Sequence, residues 1–165
     1  MSIKEKLTQI LKENSRLADA DIAKMIGISE AEVKALIKEL EGDKIILKYS
    51  AVINDELLDD GQSVTAFIEV KVTPERDKGF DSLGERLQKF PEVKSVYLMS
   101  GAYDILLVIE GKSLKEIAFF ISNKLSPIGR ILSTATHFQL KKYKENGVIM
   151  GSIDEEGSNR LNVAF

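Results

Sequence analysis

At residue 64 the periodicity of the chain changes, and that change limits its folds more than any other feature. Beyond it Val64, Ala66, Ile68, Val70 and Val72 alternate with Thr65, Phe67, Glu69 and Lys71, which is the period of a strand. Pro74 ends that strand. Phe80, Leu83, Leu87 and Phe90 then fall at helical spacing, and Pro91 closes the helix. Two apolar runs, about 93–100 and 103–110, flank Ser100-Gly101-Ala102 and predict a tight β-hairpin, with Gly101 supplying the positive φ of a close turn. Ser113 caps a helix carrying Leu114, Ile117, Ala118, Ile121 and Leu125. Pro127 and Gly129 break it, and a last strand runs from 131 to about 141. The order βαββαβ, in two halves of nearly equal length, is that of a ferredoxin-like sandwich, four antiparallel strands with both helices on one face.

Two helices cover one face only, yet the strands carry apolar residues on both. Phe67, Leu106, Val108, Leu132 and Phe138 cannot all lie under the helices. The surplus predicts a homodimer formed through this domain; a monomer with a moderately apolar open face is the competing reading.

The first 53 residues follow a different rule. Ile3, Leu7, Ile10 and Leu11 make one helical stripe. Asp19 reads as the N-cap of a second helix with Ile22, Ala23 and Ile26 inward, and Gly27 stops it. Ser29 caps a third helix, in which Glu30 and Glu32 occupy the anion-favouring first turn and Val33, Leu36, Ile37 and Leu40 form the buried stripe. The β-branched stretch 45–53 reads as strand. Helix, helix–Gly–helix and strand are the layout of a winged helix-turn-helix, with a structural three-helix bundle as the alternative. Nine basic and nine acidic side chains leave this region neutral. Any pull on DNA must therefore come from local gathering of Lys34, Lys38, Lys44 and Lys48, or from dimerisation. The chain thus reads as α+β: a winged helix-turn-helix over 1–53, an acidic linker over 54–63, a ferredoxin-like domain over 64–143 and a polar tail over 144–165, in which Val148, Ile149 and Met150 could add an edge strand or swap onto a partner.

Chemistry is easier to exclude. There is no Cys, hence no disulfide, thiol nucleophile or cysteine metal site. His137 is the only histidine, so it makes neither a metal cluster nor a nucleophile–base pair; a packed or interface histidine fits better. No enzyme, cofactor or metal is expected. Residues 1–6 lack the apolar core of a signal peptide, and no apolar run approaches the roughly 20 residues that cross a bilayer. A cytoplasmic protein is expected. Lys141, Lys142 and Lys144 read as a solvated strand end.

The order of parts resembles the leucine-responsive/AsnC (Lrp/AsnC) family of transcription regulators. The resemblance rests on 21–29, 33–41 and 45–54, then on Pro91-Glu92-Val93, Ser100-Gly101-Ala102-Tyr103-Asp104 and Leu125-Ser126-Pro127, and covers about 1–142. It implies a winged helix that binds double-stranded DNA and a C-terminal domain that senses an amino acid or related small molecule. It also implies dimers that assemble further, often to octamers. The effector positions it implies are Met99, Ser100, Gly101, Ala102, Tyr103 and Asp104, with Ser133, Thr134 and Thr136 as weaker candidates. The chain departs from the family pattern at Leu36 and Glu39, where arginines are common, and at Lys44, where glycine is usual.

On the third helix, Ser29, Glu30, Glu32, Lys34, Ala35 and Lys38 are the expected DNA contacts, with Lys44, Lys48 and Tyr49 against the backbone. Asp104 is suited to receive an α-ammonium group; its competing role is to cap the hairpin or pair with a lysine. Tyr103 offers an apolar body with a polar tip, and simple packing competes with a ligand role. The alternative for the whole chain is a non-enzymatic small-molecule-binding or scaffold protein with weak or no DNA binding.

Overall fold

The computed structural model describes residues 1–58, 63–73 and 79–151, which fall into two compact units, Met1–Ile53 and Asn54–Phe165. In the first unit, α1 (Ile3–Glu13) opens on a capping box: the Glu5 amide donates to the Ser2 hydroxyl, and the Ser2 amide to the Glu5 carboxylate. α2 (Asp19–Ile26) begins one residue earlier than the sequence predicts. The Ala18 carbonyl already accepts the amides of Asp21 and Ile22, so Ala18 is the cap. Asp19 instead lies in the first turn, where the helix dipole still favours its charge. Gly27, at φ 76, ends α2. α3 (Glu30–Gly42) carries a second capping box, Ser29 with Glu32. Leu7, Ile22, Ala23, Val33 and Leu40 are the buried core, against which Leu36, Ile37 and Ile46 pack.

The expected wing is not a strand: among the described residues, 45–53 belongs to no ladder. A β-branched run becomes a strand only with a partner, and no second run in this unit stands at hairpin distance. Ile46 tucks into the core, whereas Ile45, Leu47, Tyr49, Val52 and Ile53 stay exposed. The turn leading into this stretch sits on Lys44, a non-glycine residue at φ 57, one residue past the α3 cap Asp43, where a left-handed glycine commonly ends a helix. The Ile45 and Ile46 amides both return to the Leu40 carbonyl, at 2.9 and 3.0 Å. The left-handed conformation costs a side-chain-bearing residue roughly 1–2 kcal/mol, while glycine's greater freedom when unfolded offsets about 0.5–1. Lys44→Gly is therefore expected to stabilise the chain by about 0.5–1 kcal/mol in denaturant melts, and a neutral or lower midpoint would contradict that reading.

In the second unit, Asn54 caps a 3₁₀ turn, Asp55–Leu57, inside the stretch read as linker. Residues 59–62 of that linker and Pro74 lie outside the described residues. The strands β1 (Val64–Val72), β2 (Val93–Leu98), β3 (Ile105–Gly111) and β4 (Ile131–Phe138) form one antiparallel sheet in the order β2-β3-β1-β4. Between them run α4 (Asp81–Leu87) and α5 (Leu114–Phe120), the latter capped by Ser113. The last turn of the predicted 114–125 helix is a wider π-helical turn, Ile121–Leu125. Ala66, Ile68, Val70, Ile105, Leu107 and Ile109 line the covered face, buried with Leu83 and Leu87 of α4 and Ile117 and Phe120 of α5. Phe120 meets Phe90 edge to face, centroids 5.5 Å apart.

Register decides what the helices cover. Phe67 pairs with Val108 and His137, and Glu69 with Leu106 and Ala135. Opposed residues in a ladder share a face, so Phe67, Leu106 and Val108 lie on the open side, with the His137 Nε2 3.2 Å from a Glu69 oxygen. Phe138 does not belong there: it opposes Ala66, on the helix side. Leu132 falls at the register shift between Lys71 and Val72, unmatched and exposed.

Glu92, at the entry to β2, takes a hydrogen bond from the Lys124 ammonium on the π turn. That bond is the main reason its carboxyl is held below the ordinary 4.5, against the opposing effect of burial. A lowered folded value adds stability that is complete above the unfolded value and fades as pH falls through the folded one. The stability gap between the wild type and Glu92→Gln is thus expected to be full above pH 4.5 and to close below it. A gap that persisted unchanged in acid melts would break the link.

Beyond the sheet, β5 (Lys144–Glu145) and β6 (Val148–Ile149) pair with each other through Asn146-Gly147, both at positive φ. Val148 and Ile149 therefore extend no sheet edge. Asn-Gly is the pair that a two-residue hairpin with two left-handed positions selects.

Candidate functional site

The hairpin read as tight is wider than expected. β2 ends at Leu98 and β3 begins at Ile105, and the Met99 amide closes residues 99–104 by donating to the Asp104 carbonyl at 2.8 Å. Gly101, at φ 147, lies in the region that favours glycine, and a side chain there would meet nothing within 4 Å. The demand on Gly101 is thus conformational, not one of close approach. Ser100, Gly101 and Ala102 are exposed, while Tyr103 and Asp104 are half-buried.

Asp104 ties this connection to the neighbouring strand. Its amide donates to the Val70 carbonyl at 3.1 Å, and one carboxylate oxygen accepts the Val72 amide at 2.9 Å. The carboxylate therefore finishes the β1 ladder where β3 turns away, close to the capping role weighed above. Of the weaker candidates, Ser133 opposes Lys71 and Thr134 opposes Val70, level with Asp104 but on the far side of β1, two strand spacings or about 10 Å away. Thr136 sits further along, opposite Ile68. Ser133 faces the open side and Thr134 and Thr136 the helix side, so the three do not form one cluster with the connection.

The expected DNA contacts divide similarly. Ser29 and Glu32 are engaged with each other: the Ser29 hydroxyl donates to Glu32 at 2.6 Å, and the Glu32 amide returns to that hydroxyl. The Ser29 hydroxyl and amide hold the Glu32 carboxyl below its ordinary range. Lys34 pairs with Glu30 one turn back at 2.6 Å, which raises its pKa, and Lys4 of α1 pairs with Glu39. Lys34 and Lys38, four apart, share the exposed face of α3 with Ala35. Lys44 and Lys48 are exposed in the following stretch, and the Tyr49 hydroxyl donates to Glu41 at 2.9 Å, with burial first and that bond second raising its pKa.

Sequence reasoning missed a groove of about 340 Å³ between α4 and β2, with Phe80, Val96, Leu98 and Ile105 in its lining. The available signal was Gly84, which interrupts an otherwise helical pattern. No three His, Cys, Asp or Glu side chains among the described residues are placed to hold a metal ion. No helix among them is long and apolar enough to cross a membrane.

Known proteins match both units. The family model of the Lrp/AsnC ligand binding domain matches residues 65–149, and a winged helix-turn-helix DNA-binding model matches residues 3–46. The uncharacterized HTH-type transcriptional regulator YugG of Bacillus subtilis is 49% identical over 159 residues, 94% of this chain and 96% of that protein. The proline dehydrogenase transcriptional activator of Rhizobium radiobacter is 27% identical over 87% of this chain and 90% of its own length. Among solved structures, transcriptional regulator NMB0573 of Neisseria meningitidis, in complex with L-Met, is 25% identical with a TM-score of 0.68, covering 88% of this chain and 92% of that one. AsnC of E. coli shares the fold at a TM-score of 0.67 and 24% identity, over 90% of this chain and 97% of its own. With a helix-turn-helix in the first unit, a four-stranded sheet under two helices in the second and a family match over each, the chain belongs to the Lrp/AsnC family of DNA-binding transcriptional regulators with a ligand-binding domain.

Proposed function

We propose that this regulator senses an amino acid or related small molecule at residues 99–104 and, in the cytoplasm, couples that event to DNA affinity and to assembly from dimers to a larger homo-oligomer such as an octamer. The observation that carries the reading is the anchoring of Asp104. Its amide and one carboxylate oxygen are fixed to β1, so Met99, Ser100, Gly101, Ala102 and Tyr103 are presented from a rigid base, the preorganisation a small-ligand site needs. A ligand ammonium on that carboxylate would add a charge-assisted hydrogen bond. An amino acid as the ligand class is supported by the L-Met bound to the similar Neisseria protein. Assembly draws support from the open sheet face with Phe67, Leu106 and Val108. An effector favouring one assembly would shift the population by its differential affinity.

At the DNA, α3 enters the major groove with Glu30, Lys34, Ala35 and Lys38 forward, and Lys44, Lys48 and Tyr49 follow the backbone. Ser29 and Glu32 set the helix start. The test is binding of the purified protein to its own upstream DNA across a salt series, comparing wild type with Lys34→Ala and Lys38→Ala. Each lysine that touches a phosphate is expected to lower the slope of log K against log salt by about 1 on its removal. Undetectable binding at low salt would favour the alternative, a ligand-binding or scaffold protein, to which the neutral charge of the first unit and the Lys34–Glu30 pair lend weight.

A further inference from the structure

The sheet order β2-β3-β1-β4 leaves two edges, and they are unlike. Unpaired amides and carbonyls on an edge template another strand, and proteins blunt them with lysine, bulges or short length. β2 carries all three: it has six residues, an exposed Lys94 in its midst and a register shift between Val93 and Ser95. β4 has eight residues, and 131–140 holds no Asp, Glu, Lys, Arg or Pro. Its ladder with β1 shifts only opposite Lys71/Val72, at Leu132, and runs unbroken from Ser133 to Gln139.

The phase of that ladder shows which groups β4 turns outward. The Gln139 amide donates to the Thr65 carbonyl at 2.9 Å, in the register that pairs Phe67 with His137 and Glu69 with Ala135. Bonded and non-bonded positions alternate in an antiparallel pair. Ser133, Ala135, His137 and Gln139 therefore bond inward to β1, while Thr134, Thr136 and Phe138 point their amides and carbonyls away from it. No strand pairs with that side among the described residues.

The stretch is complementary to itself. An antiparallel copy centred on Thr136 sets Thr136 opposite Thr136 of the second copy and Thr134 opposite its Phe138, so each outward amide and carbonyl of the three residues meets its match. On the open side Ser133 then faces Gln139 and Ala135 faces His137. No like charges oppose each other, and the Glu69–His137 pair keeps its place. A register one residue away sets outward groups against inward-bonded residues. A register two away moves the match onto the irregular Leu132 or onto Leu140, beyond the ladder. In the centred register Leu132 and Leu140, 70% and 96% exposed, fall opposite each other at the two ends.

We propose that β4 pairs with β4 of a second copy about a two-fold axis at Thr136, joining the two sheets into one. The helices of both copies then lie on one side and both open faces on the other, still free to pack. A contact of this self-complementary kind joins two copies and stops. An assembly larger than a dimer needs a second surface, and the β4 edge supplies it beside the open face. That step rests on the assembly proposed above, whereas the edge pairing stands on β4 alone.

Thr136→Cys in the full chain tests the axis, because the chain has no cysteine of its own. The Cα atoms of a bonded pair stand about 5.5 Å apart, within the roughly 4.4–6.8 Å that a disulfide spans. Oxidation is expected to give a covalent dimer on a non-reducing gel for Thr136→Cys and none for Thr134→Cys, whose two copies lie about 13 Å apart along the strands. No cross-link at 136, or equal cross-linking at both positions, would overturn the proposal. Sedimentation reads the same edge without a cross-link. Thr136→Pro removes only an outward amide, which an edge strand tolerates, and Thr136→Lys sets two ammonium groups opposite each other. Both are expected to reduce the assembly to about half the wild-type mass or less, and an unchanged mass in both would overturn the pairing. A wild type that stops at a dimer while Thr136→Cys cross-links would remove the open face from the assembly and keep the β4 edge.

Discussion

Phe120→Ala is expected to lower the stability of the C-terminal unit by about 3–5 kcal/mol, the range for truncating a fully buried aromatic. Phe120 is 1% exposed and sits where α5 gives way to the π turn, edge-on to Phe90 at the end of the α4 segment. Its removal opens a cavity among Leu83, Leu87 and Ile117 and strips Phe90 of its ring contact. Phe120→Leu restores most of the volume without the edge-to-face pair, worth about 0.5–1.5 kcal/mol on its own, and is expected to recover most of the loss. Chemical denaturation of both variants measures this. A loss below 1 kcal/mol in the alanine variant would mean that the site collapses around the gap, against the close packing of α5 on the sheet.

Asp104→Ala is the second large effect, and it separates two roles of one carboxylate. Without the acceptor, the part-buried Val72 amide is left unsatisfied, at a cost of about 1–3 kcal/mol. Asp104→Asn keeps an oxygen for that amide and discards the charge. If the carboxylate also receives an ammonium group, a panel of amino acids in a thermal-shift assay is expected to contain one that stabilises the wild type and fails on Asp104→Asn, whose melting temperature without ligand stays near wild type. An asparagine variant that responds as the wild type does would leave Asp104 a purely structural residue.

The pattern in the sequence reached the fold because most strands and helices here are one-sided. The alternation from Val64 to Val72 places every second residue under α4 and α5, and the Ser29 and Ser113 caps announce their helices. It was weakest where a residue's role depends on what stands opposite. The stretch 45–53 has strand composition with nothing to pair with. Phe138 changes sides because a register shift at Lys71/Val72 moves the count by one, and period-two reasoning has no sight of a bulge. Asn146-Gly147 was legible as a hairpin turn, but the two-residue strands beside it carry too little alternation to draw notice. At the site, Gly101 follows from local geometry, whereas the bond from the Val72 amide to Asp104 spans 32 positions and has no local signature.

The capping box at the head of α3 bears on how such a protein changes its address on a genome. Ser29 and Glu32 hold each other through three hydrogen bonds, so varying either first costs the helix its start, about 1 kcal/mol for a lost cap. If α3 docks as proposed, retargeting by mutation or by a designed library is thereby expected to run through Glu30, Lys34, Ala35 and Lys38. Two of these four are linked by the Lys34–Glu30 pair: replacing the lysine releases a carboxylate on the same face. On that docking, a new specificity is expected to arise from paired changes at 30 and 34 more readily than from either alone.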